Sequence, residues 1–257
     1  MILHELLAIL DTIAPLRFAE PWDNTGLLTG DPDATVTRVL LTIDLTRAVA
    51  DEAISSGCEL CVAYHPVLFE PIKRVRHDSV LHRAIHGGLA VYSPHTALDV
   101  APGGTNDMLA DALGLGERAP LKLTVPAEGR GVGRVGTLTA PMARAALIER
   151  VKRELSLGAV LVAGPRDGEV ARVAVCAGAG RGLLDEVIRQ GVGLYLTGEL
   201  PHHDALRAAA AGVTVVCALH SNSERAALGR LKAKLEAGAP GLSVRISEAD
   251  RDPFTIA

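Results

Sequence analysis

Two short stretches of this chain pair an imidazole with a carboxylate at one spacing. In "SPHTALD", residues 93–99, His95 stands four positions before Asp99, and in "ALHSNSE", residues 218–224, His220 stands four before Glu224. A third histidine, His65, closes the apolar run "ELCVAYHP" at 59–66. Residues four apart on a helix share a face about one turn apart, so His220 and Glu224 can grip a single cation if His220 opens a helix. Imidazole nitrogen with carboxylate oxygen suits Zn, Mn, Fe or Co better than Ca or Mg. One such pair is commonplace on a solvated helix. His65, Asp99, His220 and Glu224 taken together, all at the ends of strand-like runs, make metal binding the chemistry to expect.

Competing chemistries are weaker. "CELC" brings Cys58 and Cys61 to metal-site spacing, but no second such pair completes a zinc site, and buried free thiols in a reducing compartment are expected. "GAGRG" at 178–182 lies between a strand and a helix signal without the spacing of a dinucleotide loop, and no phosphate-binding P-loop motif occurs. Ser93, Ser221 and Ser223 have histidines nearby but no nucleophile-elbow frame. His4, His77, His82 and His86 read as surface residues, while His202 and His203, in "GELPHHD" beside Glu199, read as helix caps or site neighbours.

These residues must be positioned by alternating strands and helices. In the first half, "RVLLTIDLT" (38–46) is a strand, "AVADEAISSG" (48–57) a helix, "ELCVAYHP" (59–66) a strand, "SVLHRAIHGG" (79–88) a helix, and "LAVYSPHTALD" (89–99) begins with a third strand. In the second half, "RVAVCAGAG" (172–180), "LLDEVIRQG" (183–191), "VGLYLTGELPHH" (192–203), "DALRAAAAG" (204–212) and "VTVVCALHSNSE" (213–224) repeat the plan. Arg38-Val39 aligns with Arg172-Val173, and Gly57 with Gly191, at one common offset. Short Val- and Leu-rich runs alternating with glycine-ended helices imply an α/β fold with two duplicated β-α-β-α-β units. Parallel sheets carry their sites at the carboxyl ends of strands, where the histidines and acids are concentrated. The intervening segment shows glycine-rich strand signals (Gly131, Gly133, Gly136) and an amphipathic helix from about Met142 to Leu155, and reads as a linker and extra layer.

With 257 residues, 48% of them hydrophobic, the chain can bury a substantial core although aromatics make up only 3%. A net charge of -4 argues against a nucleic-acid surface built on phosphate contacts. No apolar stretch reaches the length of a membrane span, and the opening "MILHELLAILDTIAP" reads as an amphipathic helix and not a leader, so a cytoplasmic protein is expected.

Longer stretches carry a family resemblance. "PWDNTGLLTGDP", "AYHPVLFEPIKRV", "VYSPHTALDVAPGGTND", "RVAVCAGAG", "LYLTGELPHHDAL", "LHSNSERAAL" and the closing "DRDPF" occur in order over nearly the whole chain. In these the chain resembles the NGG1-interacting-factor-3-like family, whose bacterial members often carry the label GTP cyclohydrolase 1 type 2 homologue. The resemblance implies two intertwined, similar α/β domains. The first would span residues 1–125, completed by about 220–257, and residues 126–219 would hold the linking segment and the second. It further implies two divalent transition-metal ions per chain (Zn, Fe, Mn or Co) on His65, Asp99, His220 and Glu224, with Glu224 bridging, and a ring-shaped homohexamer. Where many members have two adjacent histidines, this chain reads Tyr64-His65, as does a subgroup that includes eukaryotic members.

On that footing the expected activity is metal-dependent hydrolysis of a nucleotide or related small molecule, ring opening of GTP if the family label holds. His95 would orient a ligand or shuttle a proton, Tyr64 would orient substrate, and Trp22, Asp23 and Asn24 would form a rim. No basic cluster is plainly suited to a triphosphate, and Lys73, Arg74 and Arg76 are the one compact group. The alternative is a non-catalytic metal-binding scaffold, or a metal-delivery protein, that binds protein partners.

Overall fold

The structure is a computed structural model and describes residues 1–256. In chain order it contains α1 (Leu3–Ile13), β1 (Gly26–Thr29), β2 (Arg38–Thr42), α2 (Arg47–Ser55), β3 (Leu60–Ala63), α3 (Val80–His86), β4 (Ala90–Ser93) and α4 (His95–Val100). These are followed by α5 (Thr105–Ala112), β5 (Gly116–Val125), β6 (Arg130–Ala143), α6 (Arg144–Glu154), β7 (Leu161–Ala163) and β8 (Glu169–Ala179). The remainder is α7 (Leu184–Arg189), β9 (Leu194–Glu199), α8 (His202–Ala210), β10 (Thr214–Cys217), α9 (His220–Gly238) and β11 (Ser243–Ile246). The chain divides into two similar α/β units, residues 1–101 with 227–251 and residues 102–226 with 252–257.

The first unit holds a five-stranded sheet in the order β1-β4-β3-β2-β11. Its three central strands are parallel, with Val39 opposite Leu60 and Leu60 opposite Ala90. β3 and β4 are buried along their full length, as strands covered on both faces must be, and therefore read as continuous apolar runs. Leu40, Cys61 and Val91 from the sheet pack with Val49, Ala50 and Ala53 of α2 in one core cluster. Burying a side chain such as Leu40, 1% exposed, contributes about 1.5–3 kcal/mol. Thr46 caps α2 by accepting a bond from Val49 N, and Ser79 caps α3 by accepting from His82 N. Gly57 then turns the chain out of α2 at φ +66°.

The second unit holds a six-stranded sheet in the order β5-β6-β8-β9-β10-β7. β8, β9 and β10 are parallel, with Leu194 opposite both Val173 and Thr214, the place Leu60 takes in the first unit. An antiparallel strand flanks the third parallel strand in each sheet, β1 beside β4 and β7 beside β10. The duplication therefore extends to one edge of each sheet, while at the other β2 is flanked by the parallel β11 and β8 by the antiparallel β6.

Three sequence expectations change here. The glycine-rich segment is no extra layer: β5 and β6 pair antiparallel and extend the second sheet through β8. Glycine is needed because a Cβ on Gly131 would lie 2.0 Å from Lys122 O. Where the sequence reading put the first boundary at 125/126, the chain changes unit after Ala101, because α5 packs on β6 and β8 and the Asn106 carboxamide accepts a 2.9 Å bond from Ala177 N. The second division falls inside α9, after Ala226, since the first turn of that helix is bonded into the second unit. The third strand of the second half ends at Cys217, not near 224, and α9 starts at His220. No helix among the described residues is long and apolar enough to cross a membrane.

Candidate metal centre

In the first unit the candidate residues follow directly on two parallel strands. Beyond β3 the ladder with the chain after β2 continues through Tyr64 N to Thr42 O and His65 N to Ile43 O, so both residues are held in strand geometry. Tyr64 is buried, and its hydroxyl donates to Asp99. Ser93 Oγ donates 2.7 Å to the Tyr64 carbonyl, fastening β4 to the same point. Asp99 lies on α4, one turn beyond His95. The His65 and His95 rings meet edge to face at 5.3 Å, so Tyr64, His65, His95 and Asp99 form one cluster.

Each histidine in this cluster has a carboxylate behind it. His65 Nδ1 lies 3.0 Å from Asp44 Oδ1, and His95 Nδ1 lies 2.8 Å from Asp23 Oδ1. The Asp23 side chain is shut off from solvent. Burial pushes its pKa up, but hydrogen bonds from His95 and Thr96 outweigh that and hold it below the usual 3.8. An ionised carboxylate only accepts, so the proton between the pair sits on His95 Nδ1 and Nε2 is left open. His95 itself is in a left-handed conformation at φ +30°, an uncommon one for a residue with a side chain. The bonds from Thr96 N and Thr96 Oγ1 to Asp23 Oδ2 hold that turn.

In the second unit α9 carries His220 and Glu224 on one face, with His220 Nε2 3.4 Å from Glu224 Oε1. Leu219, at φ +72°, swings the chain from β10 into the helix. Glu199, the last residue of β9, stands 3.2 Å from His220 Nδ1 and so directs Nε2 toward Glu224. Ser223 Oγ donates to His220 O and accepts from Gly178 N at 2.8 Å, which makes it a structural clamp and not a nucleophile. A Cβ on Gly198 would lie 2.9 Å from the Cα of His220, so this glycine lets the helix start sit tight against β9.

Gly178 opens the space that the donors face. A Cβ there would lie 2.8 Å from Glu224 Oε1 and 3.2 Å from His220 Nε2. The glycine, at φ +64°, thus leaves a cradle bordered by one imidazole nitrogen and one carboxylate oxygen, the donor mixture of Zn, Mn, Fe and Co. Glu224 is 3% exposed, and a carboxylate so buried needs charge compensation. The donors therefore fit a divalent cation.

Within the first unit, then, the structure brings together His65, Asp99, Tyr64 and His95, and within the second His220 and Glu224. Asp23, expected at a rim, is instead shut in behind His95, and the orienting acid Asp44 and the role of Gly178 were not read from the sequence. Their only signal was position, Asp44 just past β2 and Gly178 inside the "GAGRG" turn. His202 and His203 are exposed and open α8, stacked edge to face on each other. All four cysteines are buried and free.

Comparison with known proteins places these features in a wider group. The family model described as Duf34/NIF3 (NGG1p interacting factor 3) matches residues 1–253. The chain is 37% identical to a NIF3 homologue of Schizosaccharomyces pombe over 98% of its own length and 96% of the relative's. It is 29% identical to a protein of Clostridium perfringens named GTP cyclohydrolase 1 type 2 homolog, with 99% of each chain covered. Among solved structures, a hypothetical protein of Staphylococcus aureus superposes with a TM-score of 0.92 at 27% identity, over 100% of this chain and 99% of that one.

Proposed function

The chain belongs to the Duf34/NIF3 family, and from that premise we propose that it is a dinuclear metal-dependent hydrolase acting on a nucleotide or a related polar small molecule. The observation that carries the reading is the Gly178 cradle, where His220 Nε2 and Glu224 Oε1 face a space kept open by the missing side chain. His65 and Asp99 would hold one metal, and His220 with Glu224 the other. Bound there, two divalent ions would supply an activated water and polarise the substrate's electrophile.

This chain's own groups have defined tasks in that reaction. Asp44 and Glu199 accept from the Nδ1 atoms of His65 and His220, fixing the tautomer in which Nε2 can ligate. His95 is anchored through Nδ1 on Asp23, so its Nε2 takes a proton from the nucleophile and returns it to the leaving group. The Tyr64 hydroxyl, donating to Asp99, holds that carboxylate in one rotamer. The name of the Clostridium perfringens relative supports a guanine nucleotide as the first substrate to try.

The test is elemental analysis of wild type beside a His220→Ala, Glu224→Ala double variant, followed by a hydrolysis screen of nucleotides. Close to two transition-metal equivalents per chain, depleted in the variant, together with metal-dependent turnover, is the expected result. A chain that remains metal-free after incubation with Zn, Mn, Fe and Co overturns the reading. Metal without turnover of any nucleotide would point to the scaffold or metal-delivery role.

A further inference from the structure

We propose that the first unit carries a nucleotide subsite beside His95, with Trp22 and Phe69 as the platform for the base and Lys73 with Arg74 as the contact for the phosphates. This rests on the hydrolase reading for its relevance but not for its test.

Exposed aromatic rings are scarce in this molecule. Its three tyrosines and Phe18 are buried, whereas Trp22, its one tryptophan, is 60% exposed, Phe69 52% and Phe254 71%, and of these Trp22 and Phe69 stand side by side. Leaving rings of this size in water forgoes a large burial gain, so two of them side by side mark a surface that something covers. Their centroids are 5.8 Å apart with the planes tilted 52°. A sandwiched ring needs about 7 Å between its neighbours, so a planar ligand would stack on the outer face of one ring and meet the edge of the other.

The site is built and not incidental. Asn24 Nδ2 donates 2.5 Å to Leu68 O, tying the Trp22 loop to the Phe69 loop and presetting the corner. Beside it lies a cavity of about 540 Å³ lined by Trp22, Asn24, Phe69, Glu70 and Ile72 among others, a size in the range of small-molecule sites. His95 stands 6.1 Å from Trp22 and 6.2 Å from Phe69, centroid to centroid, so a base on the platform adjoins the proton carrier.

The polar groups select the ligand class. Glu70, which lines the cavity, makes no hydrogen bond or ion pair among the described residues and is acceptor-only when ionised. It suits a heterocycle that presents adjacent N–H donors, as the Watson–Crick edge of guanine does. Lys73 and Arg74 follow the lining residue Ile72, are exposed, and have no acidic partner among the described residues. They complement the anionic end of a nucleotide. A free heterocycle would leave these two cations unused, and inorganic phosphate would leave the rings unused.

Because Trp22 is the sole tryptophan, its fluorescence reports on the platform directly. The experiment titrates metal-stripped full-length protein, held in chelator, with guanosine, GMP, GTP, AMP and tripolyphosphate. The expected result is saturable quenching by GMP and GTP, with GMP preferred over AMP and that preference reduced in Glu70→Gln. Phe69→Ala, an exposed position, should weaken GMP roughly ten- to hundred-fold, the worth of one stacking partner. Lys73→Ala with Arg74→Ala should weaken GTP and leave guanosine unchanged. Tripolyphosphate binding as tightly as GTP, or Phe69→Ala binding GMP like wild type with unchanged circular dichroism, overturns the proposal. The two readings fail separately: nucleotide binding is scored without metal, and metal content without nucleotide.

Discussion

Replacing Gly178 by alanine tests the metal cradle at the single position where the structure leaves room for it. Two costs are separable. At φ +64° a residue with a Cβ is strained by about 1–2 kcal/mol. The new methyl would also lie 2.8 Å from Glu224 Oε1, and the carboxylate must retreat by roughly half an ångström to reach ordinary contact. The end of a flexible side chain can do this at little cost in stability. A metal bond cannot follow it, since ligand distances are tolerated within about 0.2 Å. Gly191→Ala is the matched control, because Gly191 has the same φ of +64° in the same unit and nothing within 4 Å of its missing Cβ. Both variants should melt about 2–8 °C below wild type, taking about 2–4 °C per kcal/mol for a chain of this size. Only Gly178→Ala should lose metal by elemental analysis. If Gly178→Ala keeps its full metal content, or Gly191→Ala loses as much, the reasoning from the cradle is refuted.

Other consequences are open to measurement. Asp23 is depressed in the fold, so its contribution to stability is complete above pH 3.8 and lost as pH falls below that through the folded value; Asp23→Asn should flatten the acid limb of the urea midpoint between pH 5 and pH 2. Burial raises the thiol pKa of Cys61 and of Cys58, and lifts Cys217 to about 11, so iodoacetamide at pH 8 should leave these three untouched in the native protein and modify them in urea. Tyr195→Phe removes the buried hydroxyl that donates 2.9 Å to Gly180 O and should cost about 1–3 kcal/mol in denaturant unfolding, with no change in metal content.

The relation between sequence and structure differs from element to element. β3 and β10 were legible because strands buried on both faces must be apolar throughout, and the helices after β2 and β8 because Gly57 and Gly191 end them in a conformation that favours glycine. The hairpin of β5 and β6 was misread as a linker. Its glycines answer a close approach of another strand, and local spacing carries no record of which strand approaches. The same limit explains the boundaries: α5 looks like any amphipathic helix after α4, and only its packing on β6 and β8 assigns it to the second unit.

At the candidate site, sequence alone determined what depends on chain-local geometry. The spacing of His220 and Glu224 puts them on one helix face, and the run of strands puts Tyr64, His65 and His95 just past the carboxyl ends of β3 and β4. Tertiary structure decided which acid stands behind which imidazole and where space is left. Asp23 meets His95 across 72 residues, Asp44 meets His65 across 21, and Gly178 opens toward a helix that begins at His220. Such pairings are set by the packing of whole elements, to which the order of residues between two contacts contributes only chain length. A periodic pattern can announce a helix face, but not what that face will meet.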